Sequence, residues 1–222
     1  MIKIQIEDIV KKNCPDLRIA TIECQINNSA YSANLWKEII EFQNQFINQY
    51  TLEDIKAIPA IRATRQAYKI FGKDPNRYRP SAEALCRRLL RGIPLSQVNT
   101  AVDLINLISL KTGYSIGGFD GDLIKGNPVL GIGKQNERFN AIGRGLLNIQ
   151  NLPVYRDETG GIGTPTSDEE RTKIDETTNH LFLIINAYSG EENLLNTIEF
   201  SKTLIRSYLF SEKYCDFEIN LY

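Results

Sequence analysis

Asn99, Asp103 and Asn106 fall at i, i+4 and i+7 in a run whose apolar spacing predicts a helix over 99–110, so the three share one face. Asn and Asp are poor helix-interior residues, because their short polar groups compete for backbone hydrogen bonds. A stripe of them without the usual Lys/Glu mixture suits specific hydrogen bonding better than simple solvation. Asp103 is the stripe's ionisable member, and its carboxylate would hold an ammonium group through a charge-assisted hydrogen bond. The competing role is a buried polar residue that bonds a neighbouring loop. A second set lies in GGIGTPTSD (160–168), where Gly161, Gly163 and Thr164 could form a nest of amides around an anion or carbonyl. The segment matches neither the P-loop nor the dinucleotide pattern, and an ordinary surface loop competes with that reading. Asp168, Arg171 and Thr172 follow closely. The third set is basic: Arg77, Arg79, Arg87 and Arg88, with Arg91 beside them, form the most basic segment and the place for an RNA backbone. Arg62, Arg65 and Lys69 make a second basic face, for solvent or for a phosphate or carboxylate.

The chain that must position these groups has 222 residues, 42% hydrophobic and 24% charged, with a formal net charge of -1. A chain of this length can bury a core without disulfides or metal. Near-neutral charge gives no overall field toward nucleic acid or membrane, so RNA contact must come from local patches. Cys14, Cys24, Cys86 and Cys215 are scattered, and His180 is the single histidine, so reduced thiols, no metal site and no cofactor are expected. No run approaches the ~20 apolar residues of a membrane span, and the charged N-terminus has no apolar signal run, so a cytoplasmic location is expected.

Ile2, Ile4 and Ile6 alternate as in a strand, and a helical turn follows through Val10. A strand is expected over 17–26 and a helix over 35–50, with Trp36 anchoring its start. Pro59 opens a helix that Gly72 stops, and Ser81 is placed as the cap of a helix over 82–91. Off the polar stripe, Val102, Ile105 and Ile108 are expected to pack inward. Gly113, Gly117 and Gly118 punctuate a short strand, and short strands or turns are expected at 129–133 and 141–149. His180 reads as the edge of an apolar strand over 181–188. An amphipathic helix over 191–210 follows, with Leu194, Leu195, Ile198, Ile205, Tyr208 and Leu209 buried, and the tail alternates as a last strand. Without strict βαβ alternation this order favours an α+β fold, and without a Pro/Ser linker it favours one domain over 1–222. Residues 73–120 and 158–172 are expected to face a common cleft.

The segments LWKEI, RATRQAYKIFGKDPNRYRPSAEALCRRLLRG, VNTAVDLINLISLKTGYSIGGFD and GTPTSDEERTKI resemble the B3/B4 domain. That domain is the tRNA-editing module of the phenylalanyl-tRNA synthetase β chain. A closer resemblance is to free-standing proteins built from it alone, and the match is strongest over 32–188. The resemblance implies an α+β fold with mixed sheet, flanking helices and a central cleft, lined by Asn99, Asp103, Asn106, Gly117, Gly118, Phe119, Gly161, Gly163 and Thr164. In the synthetase that cleft receives a mischarged 3′ end and hydrolyses tyrosine from phenylalanine tRNA. The synthetase's aminoacylation module has no counterpart here. Gly117 stands where bacterial synthetases show a His, and an apolar residue near Ile184 where they show a Glu.

Two functions compete. One is trans-editing, in which the chain binds tRNA and hydrolyses a mischarged aminoacyl ester. The other is a non-catalytic module that binds an RNA end, a nucleotide or an amino acid. The missing His, the absence of a Ser/His/Asp or Cys/His arrangement and the neutral net charge favour the second, the motif-rich cleft the first, and deacylation of mischarged tRNAs separates them.

Overall fold

The computed structural model describes residues 1–210 and 217–222; Cys215 and Asp216, where the tail was expected to begin, lie outside the described residues. In chain order the elements are β1 (Gln5–Ile6), α1 (Asp8–Asn13), β2 (Arg18–Gln25), α2 (Ala33–Gln49), α3 (Pro59–Ile70), α4 (Ser81–Leu89) and α5 (Thr100–Thr112). They continue with β3 (Ile116–Asp120), β4 (Val129–Ile132), β5 (Asn140–Ala141), β6 (Gly145–Leu146), β7 (Pro153–Arg156), β8 (Gly161–Gly163), β9 (His180–Ala187), α6 (Leu194–Tyr208) and β10 (Glu218–Leu221). The fold is α+β.

β2 and β9 are covered on both faces, which is why each reads as a nearly continuous apolar run. They pair antiparallel from Arg18↔Ala187 to Gln25↔His180, with β10 outside β2 and β3 outside β9. A second sheet runs β1-β4-β7-β8, with β1 and β4 parallel and the other pairs antiparallel. Side chains alternate across β9. Leu183 and Ile185 enter a core with Leu35, Leu104, Ile108 and Ile205 of the helices. Phe182 and Ile184 enter a second core with Ile19, Phe119, Leu130, Tyr155 and Ile162, between the two sheets. No described helix is long and apolar enough to cross a membrane.

Several elements differ from the sequence expectation. Asn99 is not inside a helix: it is the N-cap of α5, where its side chain accepts from the Val102 amide at 3.0 Å. Ser81 is the first residue of α4 rather than its cap, and its amide donates to the Pro165 carbonyl at 2.8 Å, tying the helix start to the 164–168 turn. The glycine half of the segment expected as an anion-binding loop is instead a short strand, because β7 supplies a partner for Gly161 and Gly163, and only 164–167 is a turn. Their lack of side chains is required by packing: a Cβ at Gly161 would come 2.8 Å from the Phe139 ring. Leu195, expected in the core, is 58% exposed, because α6 begins at Leu194 and presents that position to solvent.

Candidate functional site

A cleft of about 560 Å³ opens between α4 and α5 on one side and the edge of β3 with the 164–176 segment on the other. α5 turns Asn99, Val102, Asn106 and Ser109 toward it, while Ser81 and Leu85 come from α4 and Ile116 and Gly118 from β3. Thr166, Ser167 and Asp168 form the facing wall, and Ile142 and Arg144 reach the mouth from the β5–β6 hairpin. Residues from both 73–120 and 158–172 therefore meet here. Gly118 keeps the floor open, since a Cβ there would lie 2.5 Å from Ile105 Cδ1.

The α5 arc that faces the cleft passes through Val102, and Asp103 lies about 100° further round. Asp103 is buried against α2 instead. Its Oδ2 accepts from the Trp36 indole Nε1 at 2.7 Å and its Oδ1 from the Val98 amide at 3.0 Å. Burial pushes its carboxyl above the usual carboxylate range, and these two donors offset only part of that rise. Trp36 anchors α2 through this carboxylate. Asp103 thus does not line the cleft, and both of its oxygens already accept hydrogen bonds. Val102 and Ile105 pack inward as expected, Ile105 within the core and Val102 against it, and both also form part of the cleft wall.

The remaining candidates divide by face. Gly117 and Phe119 point to the opposite side of β3 from Gly118, and Phe119 is buried between the sheets. Ile184 is paired with Gly117 and fully buried there. Gly161, Gly163 and Thr164 do not line the cleft either. The Thr164 amide donates to the Ser167 carbonyl, and the Thr166 and Ser167 amides donate to Thr164 Oγ1, so this turn's amides are engaged within it. An amide nest around a substrate carbonyl is thereby ruled out at Thr164.

These glycines have a different task, around Asp168. The Gly118 amide donates to Asp168 Oδ2 at 3.2 Å. A Cβ at Gly163 would meet Oδ1 at 2.8 Å, and one at Gly117 would stand 3.5 Å from it. Strand β8 thus admits the carboxyl because Gly163 is bare, whereas a side chain at Gly117 would make only an ordinary contact with it. Oδ1 has no hydrogen-bond partner among the described residues. Protein surrounds the group except toward the cleft, and this desolvation raises its pKa to about 7 against the pull of the Gly118 amide. Across from it, Ser109 is only 2% exposed, and neither its hydroxyl nor the Asn106 amide has a side-chain hydrogen bond among the described residues. A carboxyl that titrates near neutrality, facing unpartnered donors across an apolar-walled cleft, can move a proton and stabilise a developing negative charge. Sequence reasoning noted Asp168 only as part of a polar cluster. Its partner there, Arg171, is engaged with Asp157 at 2.9 and 3.0 Å.

The basic candidates also separate. Arg77 and Arg79 are exposed on the α3–α4 connection, and Arg79 precedes the cleft residue Ser81 across Pro80. Arg87 instead binds Glu83 at 2.7 Å, and the fully buried Glu83 side chain also holds Arg65 at 2.6 Å. Arg88 donates to the Pro94 carbonyl and to Ser96. Arg87 and Arg88 are thus committed to internal contacts that fix α4.

A family model for the B3/4 domain matches residues 63–201, from α3 into α6 and across the whole cleft. The chain belongs to the B3/4 domain family. A phenylalanine–tRNA ligase β subunit from Bartonella henselae is 33% identical over 96 residues, covering 42% of this chain and 12% of that protein. A solved N-terminal fragment of the phenylalanyl-tRNA synthetase β subunit from Pyrococcus horikoshii aligns over 98% of this chain and 50% of its own, at 13% identity and a TM-score of 0.47. The chain therefore spans a small part of the ligase subunit and half of the solved fragment.

Proposed function

We propose that this chain, acting as one unit over 1–222, binds the aminoacylated 3′ end of a tRNA in the cleft and hydrolyses the ester of a mischarged amino acid. The carrying observation is Asp168, a carboxyl with a pKa raised to about 7 and one unpartnered oxygen at the cleft wall. As a carboxylate it takes a proton from a water whose oxygen attacks the ester carbonyl carbon. Asn106 and Ser109 donate to the carbonyl oxygen as it gains charge. The ester C–O bond then breaks, Asp168 returns the proton to the departing ribose oxygen, and free amino acid leaves. An ester already activated on tRNA asks for little beyond a placed water and these donors. The relation to a synthetase β subunit supports tRNA as the partner, and exposed Arg77 and Arg79 beside the rim support phosphate contact. Such work belongs in the cytoplasm.

A non-catalytic binding module is the second reading, favoured by Gly117, which by the family resemblance stands where bacterial synthetases show a His. One assay separates the two: incubate purified protein with a panel of mischarged tRNAs and follow release of amino acid against buffer alone. Acceleration with at least one member, abolished by Asp168→Asn, is expected. Binding without acceleration for any member would establish the second reading instead.

A further inference from the structure

We propose that Arg144 is a phosphate-binding residue of the cleft, holding the 5′-phosphate of the nucleoside whose ribose carries the ester; this rests on the proposed occupancy of the cleft by an aminoacylated RNA end. Arg144 lies in the three-residue tip that joins β5 to β6, between Gly143 (φ 67°) and Gly145 (φ 70°). Those left-handed conformations suit glycine and allow so tight a tip. The hairpin is fixed to the cleft wall rather than free. The Ile142 amide donates to the Asp168 carbonyl at 3.0 Å, the Asn140 amide donates to Glu169 Oε2 at 2.8 Å, and Ala141 bridges to Glu169. Arg144 is thus carried at the mouth by the segment that also carries Asp168.

Its guanidinium is exposed, lines the cleft and has no carboxylate partner among the described residues. The cleft's other cation, Lys173, is paired with Glu170. Asp175, also on the wall, has its carboxylate held by the Thr177 amide and hydroxyl. Arg144 is therefore the cleft cation left to meet an anion, and its planar fork of donors matches two phosphate oxygens. An ester at Asp168 needs its nucleoside held from the mouth side, and a phosphate at Arg144 supplies that anchor from the same hairpin-and-turn unit.

The test uses non-hydrolysable aminoacyl adenosines, with an amide replacing the 3′ ester, as alanyl, seryl, valyl and tyrosyl forms, each with and without a 5′-phosphate. Binding to the full chain is measured by calorimetry. For the form that binds best, the phosphate is expected to tighten wild-type binding about tenfold. Arg144→Gln should lose most of that gain while binding the phosphate-free compound within about twofold of wild type, and Arg144→Lys should keep part of it. A phosphate that adds nothing, or a variant that weakens both compounds equally, overturns the Arg144 role and leaves the proposed function standing. If 5′-AMP binds through Arg144 as well as any aminoacyl compound, the Arg144 role stands and the editing reading fails. If nothing binds, both fall. Circular dichroism of the variants guards against misfolding, which an exposed hairpin tip should not cause.

Discussion

Asp168 and Asp103 carry the same functional group, and their surroundings give them opposite work. Asp168 accepts one amide bond and faces the cleft, whereas Asp103 accepts from Trp36 and Val98 and faces α2. The raised Asp168 pKa means that the folded chain holds more protons than the unfolded chain between 3.8 and about 7. Stability therefore falls as pH rises through that window. Asp168→Asn removes a desolvated charge, so it should raise the melting temperature at about pH 8, leave it nearly unchanged below about pH 4, and abolish activity. A variant less stable than wild type at the higher pH would show that the carboxylate is held favourably. Asp103→Asn should do the reverse: its amide faces two donors with only one acceptor, at a cost of about 1–3 kcal/mol. Thermal unfolding should register about 2–4 °C for each kcal/mol, with activity per folded molecule unchanged. Loss of activity without loss of stability would return Asp103 to the ligand. The sequence spacing put Asn99 and Asn106 on one face, and both line the cleft. It could not fix the phase of the cleft-facing arc, because Asp103 and Val102 sit on either side of that stripe and only α2 decides which is covered.

At the scale of elements, the cleft depends on where strands end and which of their positions are bare. β2, β9, α2 and α5 were legible because long apolar or amphipathic runs announce them. β7 and β8 were not, since Pro153 opens one and Gly161 and Gly163 make up most of the other, and short strands declare themselves only once a neighbour pairs with them. Asp168 reads in the sequence only as a member of a polar cluster for a similar reason: the amide it accepts from belongs to β3, about fifty residues away in the chain. Gly118 tests this architecture. A methyl there would meet Ile105 Cδ1 at 2.5 Å and Ile174 Cδ1 at 3.1 Å, both flexible side-chain ends, so the fold should survive while the floor fills. Gly118→Ala is expected to weaken binding of aminoacyl-adenosine analogues about tenfold or more, with an unchanged circular dichroism spectrum. Undiminished binding would place the ligand elsewhere.

Across the whole molecule, net charge of -1 hides a division between exposed and committed arginines. Arg77→Glu with Arg79→Glu should weaken tRNA binding and flatten its salt dependence, by about 0.7–0.9 in log–log slope for each phosphate no longer neutralised. Arg87→Ala should instead destabilise the chain, because it strips one partner from the buried Glu83 carboxylate. Filter binding across a salt series, read beside thermal unfolding, separates these; a flattened slope for Arg87→Ala at unchanged stability would reverse the assignment. The family relation and the cleft leave one claim at the centre, that Asp168 activates water on an aminoacyl ester. It is tested most directly by single-turnover deacylation of a mischarged tRNA from about pH 5 to pH 9, with the buffer rate subtracted, for wild type and Asp168→Asn. The predicted wild-type rate rises with pH, levels above about 7, and falls about a hundredfold or more in the variant, which loses that titration. A variant that matches wild type across the range would contradict the claim.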